Sequence, residues 1–213
     1  LEHVMFDFLQ EKVFAGHPLA WPVLGYDHTL AAMTREQMWV YFQRRYAPDN
    51  MMLLVAGNGA PSEIIELAET YCGSWKPAGP APPRTIPWVH SGTDVLPIDR
   101  FKQQVVALTF PSIASTDPRI ETASAAATIL GGDNSRFFWN IVQKGLSPRA
   151  GAQHLDFTDC GVMILYAACQ PDRCEEVLAA IRREAERMCD ERVSNHEVDR
   201  VKNKRRTSLA VEA

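Results

Sequence analysis

The chain contains one pattern twice: an apolar run, a short break, and then a stretch with helical periodicity. Residues 51–75, MMLLVAGNGAPSEIIELAETYCGSW, and residues 161–188, GVMILYAACQPDRCEEVLAAIRREAERM, both follow this order. Each helix is expected to begin at a proline, Pro61 or Pro171, because the first turn tolerates the missing N–H. Two such units indicate duplicated half-domains with a cleft between them, and clefts commonly bind ligands.

The first half of the chain is predicted to be mainly helical. Its strongest local signal is a capping box, in which Thr34 and Gln37 each satisfy a backbone N–H of the other. The predicted elements are a helix over 4–14, a loop over 15–25, a helix from Thr34 to Arg45 with Met38, Tyr41 and Phe42 facing inward, a strand over 51–56, and a helix from Pro61 to Gly73.

The second half alternates strands and helices without the regular rhythm of a doubly wound sheet, which favours an α+β fold with mainly antiparallel strands. Ser194 and Glu197 form a second capping box. The predicted elements are a strand over 103–110, helices over 119–130 and 135–144, a hairpin of 149–156 with 162–168, a helix from Pro171, and a helix from Ser194.

Both ends of the sequence lie inside predicted helices, so we expect the chain to be the middle of a longer protein, truncated at both ends. Residues 1–75 are predicted to be the back part of one domain, and residues 98–213 most of a second. Between them, residues 76–97 hold six prolines with almost no apolar periodicity, which is typical of an extended linker. An incomplete first domain would expose apolar surface, and this predicts self-association.

Composition narrows the class only modestly. The net charge of −4 argues against nucleic-acid binding, and no apolar window is long enough for a membrane span. The five cysteines are an odd number without C-x-x-C spacing, so reduced, structural roles are favoured over disulfides or metal binding. No compartment follows from these features; of the two considered, the cytoplasm is favoured over the periplasm.

The residues alone specify no reaction. No two of the six histidines have the three-to-five-residue spacing of a hydrolytic zinc helix, and no nucleophile elbow is present. The opening Leu1-Glu2-His3 would complete an H-x-x-E-H motif only if a histidine preceded it. We therefore predict no catalytic residue and no metal ligand in this chain.

Four blocks together resemble the pitrilysin/insulinase family of zinc metallopeptidases, the inverzincins, and within it the bacterial branch that is similar to mitochondrial processing peptidase. They occur in the family's order and span nearly the whole chain. The blocks are VFAGHPLAWPVLG (13–25), TREQMWVYFQRRYAPDNMMLLVAGN (34–58), ILGGDNSRFFWNIVQKGL (129–146) and EVDRVKNK (197–204).

The resemblance implies a protein of two homologous α+β domains that enclose an extended peptide. It also implies a zinc ion in the parent protein, held by an H-x-x-E-H helix and a distant glutamate. All of these residues would precede Leu1, so this fragment is predicted to be inactive alone and to bind no zinc itself.

On the substrate side the chain departs from the family. Family members often carry an arginine where Val142 stands and a tyrosine shortly afterwards, and these two help to hold the peptide backbone. Arg149 and His154 are candidate replacements, although the interpretation that both are simply exposed strand residues is favoured. Arg136, in the first turn of a helix, needs a carboxylate partner, and an internal one is favoured over substrate. Trp139 is predicted to lie in the core.

The predicted function is therefore part of a zinc-dependent endopeptidase or oligopeptidase whose partner is a peptide substrate. A homo- or heterodimer with another copy of the fold is also possible. The alternative is a noncatalytic partner or structural subunit of the same fold, as in processing peptidases and respiratory complexes. An unrelated α+β scaffold is the third and least favoured interpretation.

Overall fold

A computed structural model of the chain describes residues 2–79 and 83–212. The chain divides into two compact units. The sheet unit comprises residues 1–22 and 86–213, and the helical unit comprises residues 23–85. These units are defined by contacts within this chain, so the domain boundaries predicted above stay a prediction. Two prolines of the predicted linker, Pro80 and Pro82, lie outside the described residues.

The sheet unit is built on three antiparallel strands in the order β1-β3-β2. Strand β1 is Gln104–Ser112, β2 is Arg149–Asp156 and β3 is Gly161–Cys169. The register pairs Gln104 with Cys169 and Arg149 with Ala168, so the start of β1, the start of β2 and the end of β3 lie together at one end of the sheet. The hairpin and the first strand are confirmed close to their predicted bounds.

Helices pack against one face of this sheet. They are α5 (Ile120–Gly131), a π-helical segment over Phe138–Val142, and α6 (Cys174–Asp190). Alternation along β3 turns Leu165, Ala167 and Cys169 toward them. The core also holds these buried side chains from the other elements: Val106, Leu130, Phe137, Ile141, Val177, Ala180 and Ile181.

The helices come very close to the sheet at Gly131, the last residue of α5. A Cβ added there would overlap the backbone nitrogen of Ala152 in β2. Only glycine permits this approach, which explains why the Gly131-Gly132 pair stands at the junction between α5 and the segment that follows.

The opposite face of the sheet is covered by the N-terminal helix α1 (Glu2–Val13) and a 3₁₀ turn at Pro18–Ala20. Val13, Phe14 and Ala20 pack there against Val162 and Ile164 of β3. Phe14 also meets Phe157 edge to face, with ring centroids 5.4 Å apart. Both faces of the central strand β3 are therefore covered within this chain.

The helical unit contains α2 (Asp27–Ala31), α3 (Arg35–Arg45) and α4 (Pro61–Cys72). The capping box of α3 is confirmed: the Thr34 hydroxyl accepts from Gln37 N–H, and the Gln37 amide oxygen accepts from Thr34 N–H. Helix α4 begins at Pro61 and has Gly73 at its C-cap, as predicted.

Two predictions for the helical unit were wrong. Residues 51–56 are extended but form no strand, because a strand needs a hydrogen-bonded neighbour and none pairs with them among the described residues. Met38, Tyr41 and Phe42 are exposed instead of inward-facing, because no helix or strand among the described residues of this unit buries their side of α3.

Helix α7 (Asn195–Glu212) completes the sheet unit. Its predicted capping box is confirmed, since Glu197 accepts from Ser194 N–H and Ser194 Oγ accepts from Glu197 N–H. Most of α7 is exposed. Ion pairs join it to the chain before the π-helical segment, among them Lys204 with Asp133 at 2.7 Å.

Candidate functional site

A notch opens at the end of the sheet where β1 and β2 begin and β3 ends. Its volume is about 400 Å³, within the range of small-ligand pockets. It is formed where three separate stretches of chain meet, and its lining residues are Gln103, Val142, Gly145, Leu146, Ser147, Pro148, Gln170 and Arg173.

Ser147 fixes the floor of the notch. Its side chain is buried, and its hydroxyl lies within hydrogen-bond distance of the carbonyl oxygens of Arg149 and Ala168. The same oxygen accepts from Arg149 N–H at 3.1 Å. These bonds hold the loop before β2 against the end of β3, so this part of the notch has a fixed backbone conformation.

Arg173 closes one side of the notch, and its charge is already balanced. Nη1 donates to the carbonyl oxygen of Gly145 at 2.7 Å, while Nε and Nη2 donate to Oε2 of Glu176 at 3.0 and 2.9 Å. Gly145 itself has a φ of 67°, a left-handed conformation that favours glycine. Besides Arg173, whose charge is paired with Glu176, the notch offers a ligand backbone atoms, the amides of Gln103 and Gln170, and apolar side chains.

Arg136 lies away from this lining, in a buried ion pair. Its side chain is only 9% exposed, and Nε donates to Oε1 of Glu197 at 2.7 Å. Nη2 donates to the other oxygen of Glu197 at 3.3 Å, so the pair is bidentate. The expected internal carboxylate partner is thus confirmed. Nη1 is buried without a partner among the described residues, and a substrate-binding role for Arg136 stays a prediction.

The ion pair also sets the charge state of Glu197. The hydrogen bond from Arg136 lowers the pKa of this carboxyl from its ordinary value of 4.5 to about 2, against the opposing effect of burial. Bonds from Ser194 add to the lowering. Glu197 is therefore ionised at neutral pH and holds α7 against the start of the π-helical segment.

Arg149 and His154 are not brought together. They lie five positions apart on β2, where Arg149 pairs with Ala168 and His154 with Met163, about 17 Å apart along the strand. An odd separation turns the two side chains to opposite faces of the sheet. Arg149 adjoins the notch, whereas Nε2 of His154 is buried with no partner among the described residues. Each role in substrate binding stays a prediction, but one ligand on one face cannot contact both.

One of the three stretches that line the notch, the one that begins at Val142, was singled out by the sequence, and the other two were not. Gln103, Ser147, Gln170 and Arg173 are ordinary polar residues at the ends of elements, and no local motif marks them. The antiparallel hairpin could have predicted this lining. Once β1, β2 and β3 are aligned, the residues before β1, before β2 and after β3 must lie at the same end of the sheet.

The part of the chain that the structure describes contains no group of three His, Cys, Asp or Glu side chains that could hold a metal ion. These residues therefore do not fit a zinc site. Among residues 2–79 and 83–212, no helix is both long and apolar enough to cross a membrane.

Residues 32–205 match the family model described as the peptidase M16 inactive domain, and the chain belongs to this family. This confirms the resemblance drawn from the sequence. A relative in Mycobacterium leprae, called an uncharacterized zinc protease, is 31% identical over 186 residues, which cover 84% of this chain and 42% of that protein.

Solved structures share the fold. A protease from Helicobacter pylori superposes with a TM-score of 0.83 at 19% identity, over 99% of this chain and 53% of its own. A chain of complex III2 from Candida albicans gives a TM-score of 0.82 at 20% identity, over 99% and 52%. The mixed α/β fold with an antiparallel sheet is thus that of M16-like peptidases, and the chain spans about half the length of the relatives it matches.

Proposed function

We propose that this chain is the substrate-enclosing part of a zinc peptidase, which holds an extended peptide without cleaving it. The observation that carries the proposal is the notch at the end of the sheet. Its segment from Val142 to Arg149 corresponds to the stretch where the resemblance places the family's peptide-holding arginine and tyrosine. The notch in this chain offers neutral hydrogen-bonding groups in place of that pair.

Neutral lining favours the peptide backbone as the ligand. Backbone N–H and C=O groups need both donors and acceptors, and the side-chain amides of Gln103 and Gln170 supply both. Because Arg173 is paired with Glu176, a charged side chain of the substrate gains little there. Selection would then depend on the length and flexibility of the peptide more than on its sequence.

The sheet itself supports an extended binding mode. Within the described residues, β1 and β2 are the two edge strands, and β1 and β2 both begin beside the notch. An extended peptide can add to such an edge as a further strand, with backbone hydrogen bonds providing the affinity. The notch would then receive the side chain or terminus at one end of the bound segment.

Cleavage is assigned to the rest of the parent protein. Relatives of about twice the length are called zinc proteases, and the described residues of this chain offer no metal-binding group. Incubation of the chain with a quenched flexible peptide, with and without chelator, is expected to give no chelator-sensitive hydrolysis. Such hydrolysis with one zinc per chain would overturn this assignment.

Peptide binding is tested by fluorescence anisotropy with a labelled, flexible peptide. Gln170→Ala should weaken binding about fivefold, the effect of losing one neutral hydrogen bond. Gln143→Ala is the matched control, because Gln143 is exposed on the neighbouring segment and does not line the notch. Equal affinities for the two variants, or no binding by the unaltered chain, would contradict the proposed site.

The second candidate is a noncatalytic partner or structural subunit of the same fold. It is favoured by the lining itself, because Val142 replaces the family's arginine and offers no hydrogen bond to a peptide. Activity of the parent protein separates the two: chelator-sensitive cleavage by the complete protein supports the peptidase, and its failure to bind zinc supports the subunit.

The helical unit supports assembly with another part of the fold or with another copy. Its apolar residues 51–55 are all exposed, and sequence pattern favours a strand there. Residues 51–56 would join a sheet supplied by the parent protein or by a second copy. Light scattering of the isolated chain should therefore detect self-association, and a clean monomer at high concentration would contradict it.

A further inference from the structure

Cys169 is the last residue of β3 and points into the core. Alternation along the strand places it on the helix-facing side with Leu165 and Ala167. Its side chain is completely buried. The thiol therefore lies between the sheet and α6, at the same end of the sheet as the notch.

Cys174 is the first residue of α6 and points back toward the sheet. It precedes Val177 by three positions and Ile181 by seven, and both of those residues are buried in the core between α6 and the sheet. Helical periodicity puts the three side chains on one face. Cys174 is half-buried and packs against the core cluster that contains Cys169.

The two thiols differ in accessibility. Burial, followed by the proximity of Cys174, raises the pKa of the Cys169 thiol to about 11, so Cys169 is protonated at neutral pH. An oxidant from solvent reaches the half-buried Cys174 first, and reactivity of thiols follows exposure and thiolate character.

We propose that Cys169 and Cys174 form a redox site that closes to an intramolecular disulfide when the protein meets a small disulfide oxidant such as glutathione disulfide. The Cys174 thiolate attacks one sulfur of the oxidant, which releases one glutathione as thiolate and leaves a mixed disulfide on Cys174. The Cys169 thiol loses its proton and attacks the Cys174 sulfur, which releases the second glutathione. Two thiols are oxidised, and the oxidant takes up the two electrons and two protons.

The bond would act on the notch, since Gln170 and Arg173 lie between the two cysteines and both line it. Cys169 ends a strand and Cys174 begins a helix, so the disulfide would tie these two elements across the 3₁₀ turn Pro171–Arg173. Regulation of peptide binding by this route rests on the proposed function, whereas formation of the bond does not.

The test exposes the full chain to glutathione disulfide, quenches with acid, and counts free thiols by mass spectrometry after alkylation and digestion. The number of free thiols is expected to fall from five to three, and digestion should yield a linked peptide that joins Cys169 to Cys174. A glutathione retained on Cys174 with Cys169 still free would overturn the proposal.

Two variants sharpen this result. Cys174→Ser should leave Cys169 reduced, because the buried thiol then has no partner to attack. Cys189→Ser is the matched control, because Cys189 is exposed near the other end of α6, and this variant should form the linked peptide as the unaltered chain does. Loss of the linked peptide in the control Cys189→Ser, as well as in Cys174→Ser, would also overturn the proposal.

Hydrogen exchange then tests the effect on the notch without any peptide. Oxidation should slow exchange of the amides over 172–174 relative to the centre of β3. Unchanged exchange in a chain shown to carry the disulfide would refute the link to the notch, while failure of peptide binding alone would bear only on the proposed function.

Discussion

The two units of this chain use the same kinds of sequence signal and reach different degrees of burial. Helix α6 has a periodic apolar face, and its Val177 and Ile181 are completely buried between the helix and the sheet. Helix α3 begins with a complete capping box, yet its aromatic residues are exposed. Cap chemistry and periodicity are local properties and specify a helix, whereas burial depends on a partner surface elsewhere in the chain.

The same contrast holds for the apolar runs. Leu165 in β3 is 1% exposed because β1 and β2 pair on either side and helices cover its face. Leu54, in the corresponding run of the helical unit, is 84% exposed. Similar apolar runs therefore contribute differently to stability, and this difference can be measured.

The largest expected effect comes from the core of the sheet unit. Leu165→Ala should lower the free energy of unfolding by about 4 kcal/mol, because it removes buried methyl groups and leaves a cavity. Leu54→Ala is the matched control and should change it by less than about 0.5 kcal/mol. Urea unfolding followed by circular dichroism measures both, and equal losses would contradict the contrast between the units.

The buried ion pair should rank next. Glu197→Gln leaves Arg136 without its countercharge and should cost about 3 kcal/mol at neutral pH. Asp199→Asn, an exposed change on the same helix, should be nearly neutral. Because the pKa of Glu197 is lowered in the folded state, the pair stabilises fully above the ordinary value of 4.5 and loses its contribution as pH falls toward about 2.

This pH dependence gives the pair its own signature. The difference in unfolding free energy between Glu197→Gln and the unaltered chain should shrink between about pH 5 and pH 2. A difference that stayed constant across that window would mean that the ion pair does not account for the loss.

Loss of a helix cap should have a smaller effect, and one that differs between units. Thr34→Ala should cost about 1 kcal/mol and alter exchange only in the first turn of α3. Ser194→Ala should cost somewhat more, because Ser194 also holds the carboxylate that pairs with Arg136. Hydrogen exchange resolves the two, and equally local effects would argue against the coupling of cap and ion pair.

The smallest effect is expected at Trp139. The prediction that it lies in the core was wrong: its side chain is 55% exposed and makes edge contact with Phe138 at 5.0 Å. Trp139→Ala should therefore cost about 0.5 kcal/mol, whereas Phe137→Ala, at a completely buried neighbour, should cost at least about 3 kcal/mol. Thermal unfolding of the two variants checks the order.

Local signals predicted most of the elements. The bounds of α3 and α4 followed from Thr34, Gln37, Pro61 and Gly73, since caps act within one turn. The helix predicted over 135–144 is present, but its π-helical form over Phe138–Val142 was not predicted, because bonds such as Gln143 N–H to the Phe138 carbonyl depend on packing that a helical pattern does not record.

The candidate site was harder to predict than the fold. The notch needs residues near positions 103, 147 and 172 to meet, and long-range pairing of β1 with β3 creates that meeting. Arg149 and His154 looked like neighbours in sequence, but strand alternation separates them. The sequence therefore indicates one stretch of the lining, from Val142 onward, without the two distant stretches that meet it.

The most direct test of the contrast is hydrogen exchange of the chain at a dilution where light scattering shows a monomer. The account predicts slow exchange across 161–169, where backbone N–H groups are paired in the sheet, and fast exchange across 51–56, where no strand pairs with them among the described residues. Equal protection of the two segments in the monomer would contradict it, because residues 51–56 would then have a partner within this chain.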